Sequence, residues 1–356
     1  MICYITRGSL ASDVRMQKYV RACKDSNIHY FVVSWDRLLE NHDEPYEYAF
    51  KRYAAYGGRS IFWNFLFALF VYWHLFTKWN KYSIIHAANF ETFIFIFPFK
   101  FFGKKLVYDM YDRGVFQKLE RWLCRQSDLF IIPSRYRLEQ IGLQESDFKH
   151  FLEIENVPVL SGEFRQNKHR SNCIRLAYVG TFEQNIRGIE NVLEFVESNK
   201  FAVLDIAGSG GCLEDYVREC ARRCERIVYH GKVDYRTALT LMGNADFIMA
   251  LYYVSNAPAH KYAAPNKYYE SLFLRTPIIT NVGTIMSKIV ARYDTGYIIG
   301  ESLSDLSELL FSIYKNGLNE EYYDKVSCCA RLWETKYDNY IKDKLECEYL
   351  QVLLEL

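Results

Sequence analysis

The stretch PNKYYESLFLRTPII, residues 265–279, predicts a loop, a short helix and a buried strand in immediate succession. Pro265 and Asn266 are typical of a helix start, because an asparagine side chain caps backbone N–H groups that lack a partner within the helix. A helix beginning near Lys267 places Lys267 and Glu270 on one face, close to an N-terminus whose dipole and free N–H groups favour a bound phosphate. The same spacing fits an ordinary surface ion pair, so the surrounding sequence has to decide between the two.

The rest of the chain repeats this alternation of helical segments and short apolar runs, which is the pattern of βαβ units and a parallel sheet. The first series comprises ICYIT at 2–6, HYFVVSW at 29–35, SIIHAA at 83–88, KLVYDM at 105–110 and LFIIPS at 129–134. The second comprises IRLAYVG at 174–180, AVLDIAG at 202–208, IVYHG at 227–231, FIMALYY at 247–253 and TPIITNV at 276–282. The predicted fold class is therefore α/β, with two Rossmann-like, doubly wound parallel-sheet domains facing a central cleft.

A charged connector of low apolar content, SGEFRQNKHRSN at 161–172, separates the two series and marks the predicted domain boundary. We predict an N-terminal domain at 1–165 and a C-terminal domain at 166–335. A last helix at about 336–356 is expected to pack back on the N-terminal domain. The length of 356 residues agrees with two domains rather than one.

Composition narrows the class of protein. The chain is 50% hydrophobic and 24% charged, as in globular proteins, with a high aromatic share of 17%. Its formal net charge of +1 gives no case for nucleic-acid binding, so any anion site has to be local. The ten cysteines have no CxxC spacing and resemble reduced cytosolic thiols. Because a strand-like segment starts at once, without the pattern of a secretory signal, we expect a cytoplasmic protein.

Two aromatic runs in the N-terminal half raise the question of membrane contact. IFWNFLFALFVYWHLF at 61–76 is apolar around nearly its whole circumference but short for a transmembrane span, and TFIFIFPFKFF at 92–102 follows it. One interpretation is a helix buried in the first domain. The other is a helix lying in the headgroup region on the inner face of the cell membrane, with Trp63, Trp73 and Trp79 at the interface.

Polar residues follow several predicted strands, at the carboxyl ends where doubly wound sheets bind ligands. Arg187 and Gly188 open a helix after the strand LAYVG. A guanidinium there is suited to clamp a diphosphate, although a solvated loop arginine is the alternative. The glycine cluster AGSGG at 207–211, which includes Gly208, either lets backbone approach a ligand or simply turns the chain. Because GxGxxG spacing is absent, a dinucleotide cofactor is not supported.

The first domain offers weaker candidates. Gly8, in the segment Arg7-Gly8-Ser9 after the first strand, belongs to a loop that reaches phosphates or to a plain turn. His86 ends the strand SIIH and is expected to project into the cleft, with a hydrogen-bonded structural histidine as the alternative. Asp109 and Asp112 follow KLVY; since no third ligand accompanies them, solvated loop carboxylates are the simpler interpretation and no metal site is predicted.

Taken together, these stretches resemble the retaining glycosyltransferases of family 4, which have the GT-B fold of two Rossmann domains. The resemblance covers most of the chain through segments that occur in the family's order: IIHAANFET, KKLVYDMYD, FIIPS, ENVPV, YVGTF…RGIENVLEFV, LDIAGSGG, YHGKVDYRTALTLMGNADFIMALYY and PNKYYESLFLRTPIITNVG. It implies a nucleoside-diphosphate sugar donor in the C-terminal domain and an acceptor on the N-terminal domain. It implies neither a cofactor nor an obligatory metal.

The resemblance also assigns roles to individual residues. Glu270 matches the family's second motif glutamate, expected to hold the donor ribose hydroxyls, and Arg187 and Lys267 are expected to neutralise the diphosphate. His86 matches the first position of an H-x-H-like strand end. The expected donor-binding residues are Gly8, Arg187, Gly208, Asn266, Lys267 and Glu270; the expected catalytic residues are Arg187, Lys267 and His86; and the expected acceptor-binding residues are His86, Asp109 and Asp112.

Two departures from the family pattern concern the sugar. The first glutamate of the family's E-x7-E pattern is Tyr262 here, and the usual arginine after the first glycine loop is Thr181. Sugar recognition is therefore expected to differ, through Asn256, His260 or Lys261.

The predicted function is transfer of a sugar from a nucleotide sugar to a lipid-linked or glycan acceptor, with retention, in surface polysaccharide or glycolipid synthesis. A nucleotide-sugar 2-epimerase of the same fold and a non-catalytic partner subunit are the alternatives.

Overall fold

The computed structural model describes residues 1–37, 39, 44–54, 61–114, 116–160 and 173–356. The chain divides into two compact units. Unit 1 comprises Met1–Val159 with Asn339–Leu356, and unit 2 comprises Leu160–Asp338. The connector predicted at 161–172 and the boundary predicted between 165 and 166 lie outside the described residues.

Unit 1 is built on a parallel sheet of seven strands: β1 (Ile2–Thr6), β2 (Tyr30–Asp36), β3 (Glu47–Lys51), β4 (Ile84–Ala88), β5 (Lys105–Asp109), β6 (Leu129–Ile132) and β7 (Phe151–Glu153), in the order β3-β2-β1-β4-β5-β6-β7. Its helices are α1 (Val14–Asp25), α2 (Ile61–Thr77), α3 (Asn89–Ile96), α4 (Gln117–Gln126) and α5 (Arg137–Ile141), with 3-10 turns at Trp79–Lys81, Phe97–Phe102 and Glu145–Asp147. A π-helical segment, Ile341–Tyr349, leads into the C-terminal helix, Leu350–Glu355.

The central strands of unit 1 are buried on both faces, as expected for a parallel sheet covered by helices. Along β1, Cys3 and Ile5 point into one apolar core, and Ile2 and Tyr4 point into the other. The first core includes residues of α2 and α3. The second includes residues of α1 and of the C-terminal segment, so the chain end is part of the packing of unit 1.

Unit 2 repeats this architecture with a six-stranded parallel sheet: β8 (Ile174–Val179), β9 (Ala202–Ala207), β10 (Ile227–Tyr229), β11 (Phe247–Met249), β12 (Ile278–Asn281) and β13 (Gly296–Ile299), in the order β10-β9-β8-β11-β12-β13. Its helices are α6 (Ile189–Ser198), α7 (Glu214–Arg223), α8 (Tyr235–Asn244), α9 (Asn266–Phe273), α10 (Ile285–Tyr293), α11 (Leu303–Asn316) and α12 (Glu320–Leu332), with a 3-10 turn at Pro258–Tyr262 and a π-helical turn at Trp333–Tyr337. The strand order reverses between β8 and β11, which is the switch point of a doubly wound sheet.

The aromatic run at 61–76 forms α2, which is buried in unit 1 along one side only. Phe67, Val71 and Leu75 are fully buried on one side, whereas the opposite side faces solvent. Of the three tryptophans predicted at an interface, Trp73 is 67% exposed, and Trp63 and Trp79 are half-buried. Across the described ranges, no helix combines the length and apolar character needed to cross a bilayer.

Candidate functional site

Close backbone packing brings together the loops that follow β8 and β9. Gly208 directly follows β9 and has φ +144°, and a Cβ atom there would lie 1.8 Å from the carbonyl oxygen of Gly180. The Gly208 N–H donates to the carbonyl of Gly231, 2.8 Å away, in the loop after β10. Any side chain at Gly208 would therefore separate these loops. The glycine is needed for close packing of backbone at the carboxyl edge of the sheet.

Lys267 lies at the start of α9, with its ammonium group against the first of these loops. Its Nζ is 4.3 Å from the centre of the Tyr178 ring, and it lies 3.2 Å from where a Cβ on Gly180 would stand. Burial and the nearby charge of Arg187 lower the pKa of Lys267 to about 7, against a smaller opposing effect of Glu270. The side chain is therefore poised to gain a proton when an anion binds near it. A surface ion pair, the simple alternative, does not describe this environment.

Arg187 occupies the turn before α6, where Gly188 adopts the left-handed conformation with φ +62°. Its Nε donates to Glu183 at 2.7 Å, and the guanidinium lies 4.7 Å from the centre of the Tyr252 ring. The Tyr252 ring and the Glu183 carboxylate orient the guanidinium and leave its other N–H groups available to a ligand.

Glu270 is only 5% exposed, one turn along α9 from Lys267. The Tyr235 hydroxyl donates to its Oε1 at 2.9 Å. Burial raises the pKa of Glu270, although the Tyr235 hydrogen bond and the Lys267 charge act in the opposite direction. Tyr235 fixes one carboxylate oxygen, so the other is the natural acceptor for a ligand hydroxyl.

The start of α9 differs from the prediction in one detail. Asn266 is the first helical residue, Pro265 takes the cap position, and no side chain caps the helix. The local reason is that Pro265 has extended backbone geometry, with φ −75° and ψ 143°, so the helix starts directly after it.

The residues expected to replace the missing glutamate lie in different places. The Asn256 amide donates to the Asn185 carbonyl at 2.7 Å. The His260 ring lies 5.6 Å from the ring of Tyr252, which also contacts the Arg187 guanidinium. Among the described residues, the buried Nδ1 of His260 has no hydrogen-bond partner. Burial and the charge of Arg187 lower the pKa of His260. Lys261 lies against Tyr262, with Nζ 4.9 Å from the ring centre. The Thr181 carbonyl accepts from the Tyr178 hydroxyl at 2.6 Å.

The candidates of unit 1 differ more from expectation. His86 does not end its strand: it is the middle residue of β4, 0% exposed, with Nδ1 2.7 Å from the Tyr349 hydroxyl and Nε2 3.5 Å from Asp109. The prediction that it projects from the strand end is wrong, because β4 lies between β1 and β5 and is covered on both faces. Burial lowers the pKa of His86, which favours the neutral ring, although the Asp109 carboxylate acts in the opposite direction.

Asp109 is a buried partner of Arg15 and not a solvated loop carboxylate. It is 0% exposed, and Arg15 binds it through Nε at 2.9 Å and Nη2 at 2.7 Å, while Tyr19 donates at 2.7 Å. Burial alone would raise the pKa of Asp109, but the charge of Arg15 and the hydrogen bonds hold it well below its usual range.

Two further candidates of unit 1 lie in less constrained positions. Asp112 is exposed and lies 3.6 Å from Arg137. Gly8 has ordinary room for a Cβ, so packing does not require a glycine there. Within the described residues, no group of three His, Cys, Asp or Glu side chains is arranged to hold a metal ion.

Sequence reasoning missed the three tyrosines that hold this site, Tyr178, Tyr235 and Tyr252. Tyr178 and Tyr252 lie at the carboxyl ends of predicted strands, and Tyr235 begins α8. The positions of Tyr178 and Tyr252 at strand ends could have indicated them from the sequence. The contacts of the three tyrosines could not be predicted, because their partners come from other βα units.

No family model matches the chain, and no curated protein matches it. Solved structures match over its whole length. The sucrose-phosphate synthase of Thermosynechococcus elongatus has a TM-score of 0.70 and 15% identity, with 100% of this chain and 99% of that one covered.

Two further solved structures match the chain with similar TM-scores, identities and coverage. Anabaena HepE in complex with UDP and glucose has a TM-score of 0.67 and 12% identity, with 100% and 99% covered. WaaG, a glycosyltransferase involved in lipopolysaccharide biosynthesis, has a TM-score of 0.63 and 14% identity, with 97% and 99% covered. The two parallel α/β sheets and these matches show that the chain has the GT-B fold.

Proposed function

We propose that the protein is a glycosyltransferase that moves a sugar, with retention, from a nucleoside-diphosphate sugar to a lipid-linked or glycan acceptor. Surface polysaccharide or glycolipid synthesis at the inner face of the cell membrane is the proposed setting. The observation that carries the proposal is the convergence of Lys267, Arg187 and Glu270 beside the packed glycine loops of unit 2. Two solved structures of the same fold support this assignment: HepE in complex with UDP, and WaaG, a glycosyltransferase involved in lipopolysaccharide biosynthesis.

The proposed chemistry is electrostatic. Charge builds on the leaving diphosphate as the bond to the anomeric carbon weakens, and Lys267 and Arg187 stabilise that charge. Glu270 accepts hydrogen bonds from the ribose through the oxygen that Tyr235 leaves available. His260 lies beside Tyr252, which also contacts Arg187. We therefore propose His260 as the sugar contact that replaces the family's first glutamate. His86 and Asp109 are both fully buried, so neither side chain is accessible to an acceptor.

The test begins with thermal-shift measurements on UDP, GDP, CMP and dTDP, since a ligand that binds the folded state raises Tm by mass action. The stabilising nucleotide then selects the nucleotide sugars for transfer assays with lipid and glycan acceptors. We expect Glu270→Ala to weaken nucleotide binding about 10- to 100-fold, because it removes a charge-assisted hydrogen bond. Glu308→Ala, at an exposed position of α11, is the matched control.

Product analysis separates the alternatives. A 2-epimerase would convert the nucleotide sugar without an acceptor, and a partner subunit would leave it unchanged. If no nucleotide stabilises the fold, or if Glu270→Ala binds as tightly as the wild type, the assignment of this donor site is wrong.

The lowered pKa of Lys267, about 7, makes nucleotide binding pH-dependent. At pH 8.5 the free protein holds Lys267 mostly neutral, and a bound diphosphate favours its charged form, so binding should take up a proton. The nucleotide Kd should therefore increase as pH rises from 7 to 9, by at most about tenfold per pH unit for one proton. Calorimetry in buffers of different ionisation enthalpy measures the uptake. Lys267→Arg should abolish it, and a buffer-independent binding enthalpy in the wild type would contradict the prediction.

A further inference from the structure

One face of α2 is apolar and exposed to solvent. Five side chains spaced three or four residues apart share it and are each 49–67% exposed: Phe62, Phe65, Leu69, Trp73 and Phe76. The opposite face carries the buried stripe of α2, where Phe67 contacts Trp35 at 5.4 Å and Phe50 at 5.9 Å between ring centres. The helix is thus held in the core by one face while the other presents aromatic side chains to solvent.

Ring contacts extend this surface beyond α2. Phe76 stacks on Trp79 at 5.8 Å, and Trp79 contacts Phe102 at 5.7 Å. Phe102 is 66% exposed, and the adjacent Phe101 is 79% exposed. We call the outward side chains of α2, together with Phe101 and Phe102, the aromatic face. Single exposed apolar residues are normal on a protein surface, but a contiguous apolar patch such as the aromatic face indicates an interaction site.

The charged residues of the segment that carries the aromatic face are mostly basic. Residues 61–105 contain five lysines and a single acidic residue, Glu91. Glu91 is 3.0 Å from Arg7 and is therefore neutralised. The Nζ of Lys104 lies 4.6 Å from the Trp79 ring centre, and Lys81 is exposed at the end of the same 3-10 turn as Trp79. Exposed aromatic side chains beside Lys81 and Lys104, in a segment whose one carboxylate is paired, suit the interface of a membrane with anionic headgroups.

We propose that the aromatic face docks on the surface of a bilayer that contains anionic lipids, with α2 lying in the headgroup region. Spanning is excluded for α2, because its inner stripe belongs to the core of unit 1. The lysine-rich border favours this occupant over a second copy of the chain, which would bring the same positive charges to the contact. The proposal names the surface for the peripheral-membrane part of the proposed function and does not depend on glycosyl transfer.

The test is flotation of the full chain with vesicles, without nucleotide sugar. We expect binding to vesicles of phosphatidylcholine mixed with phosphatidylglycerol, a decrease as salt is raised, and little binding to phosphatidylcholine alone. The triple variant Phe65→Ser, Leu69→Ser, Trp73→Ser should lower the partition coefficient by at least about tenfold, because membrane binding scales with buried apolar area. All three positions are exposed, so the fold should be retained, which circular dichroism checks.

The matched control is Leu354→Ser. Leu354 is 77% exposed in the C-terminal helix, which packs on the other core of unit 1 from α2. Absence of vesicle binding at low salt, equal binding to both lipid mixtures, or full binding by the triple variant would overturn the proposal. So would a lipid-free wild-type dimer that the triple variant converts to monomer. Transfer to a water-soluble acceptor is assayed separately, so failure of docking and failure of the proposed activity are distinguishable.

Discussion

Replacing Lys267 with alanine should lower kcat for glycosyl transfer by about 10²–10³-fold, the usual cost of removing one preorganised group that stabilises transition-state charge. Lys267 has the position for this role, with its ammonium beside the glycine loop of β8 and within the field of Arg187. The negative charge on the diphosphate increases as its bond to the anomeric carbon breaks, so kcat should fall. Since the same ammonium also favours donor binding, kcat/KM should fall by at least as much. Steady-state and single-turnover transfer assays measure both.

The control for this experiment is Lys288→Ala, at an exposed position of α10, which should leave kcat unchanged. A folding defect is distinguished by the free energy of unfolding. Burial disfavours the charged form of Lys267, so its removal should not destabilise the protein. If Lys267→Ala keeps kcat within a few-fold of the wild type while folded, the ammonium does not act on the leaving diphosphate.

The sequence predicted the central strands of both sheets and the edge strand β10, but missed β3, β7 and β13. All three are edge strands. An edge strand has a neighbour on one side only, so it is not driven to be as continuously apolar as a central strand. The residues of β3, EYAFK, are all half-buried, and β7 has only three residues, FLE. Such segments carry too little apolar signal to distinguish them from loops.

The positions of the donor-site candidates could be predicted from the sequence, whereas the contacts of the unit 1 candidates could not. Lys267, Arg187 and Glu270 follow strands or begin helices, and topology alone brings such positions to one edge of a sheet. The partners of His86 and Asp109 lie far along the chain: Arg15 is 94 residues from Asp109, and Tyr349 is 263 residues from His86. Strand alternation gives no information on such contacts, so a solvated carboxylate was predicted where the fold holds a buried ion pair.

That ion pair carries the second large effect. Asp109→Ala should lower the free energy of unfolding by about 3–5 kcal/mol, because it leaves the buried charge of Arg15 without its partner. Arg15 is 8% exposed and would keep only its bonds to the Ile154 carbonyl and the Asn156 side chain. Tyr19 would lose the acceptor of its hydroxyl. Urea unfolding followed by circular dichroism measures the change.

A double-mutant cycle tests whether Asp109 stabilises the fold through its ion pair with Arg15 or instead binds the acceptor substrate. Arg15→Met combined with Asp109→Leu removes both charges, and it should be more stable than Asp109→Ala alone, because no unpaired charge remains buried. Asp343→Ala, at an exposed position of the π-helical segment of unit 1, is the matched control and should change the unfolding free energy by no more than about 0.5 kcal/mol. A folded, fully stable Asp109→Ala with raised acceptor KM would return Asp109 to the acceptor-binding role. A large loss of stability that the double variant partly restores would instead make Asp109 the residue that anchors α1 to the sheet.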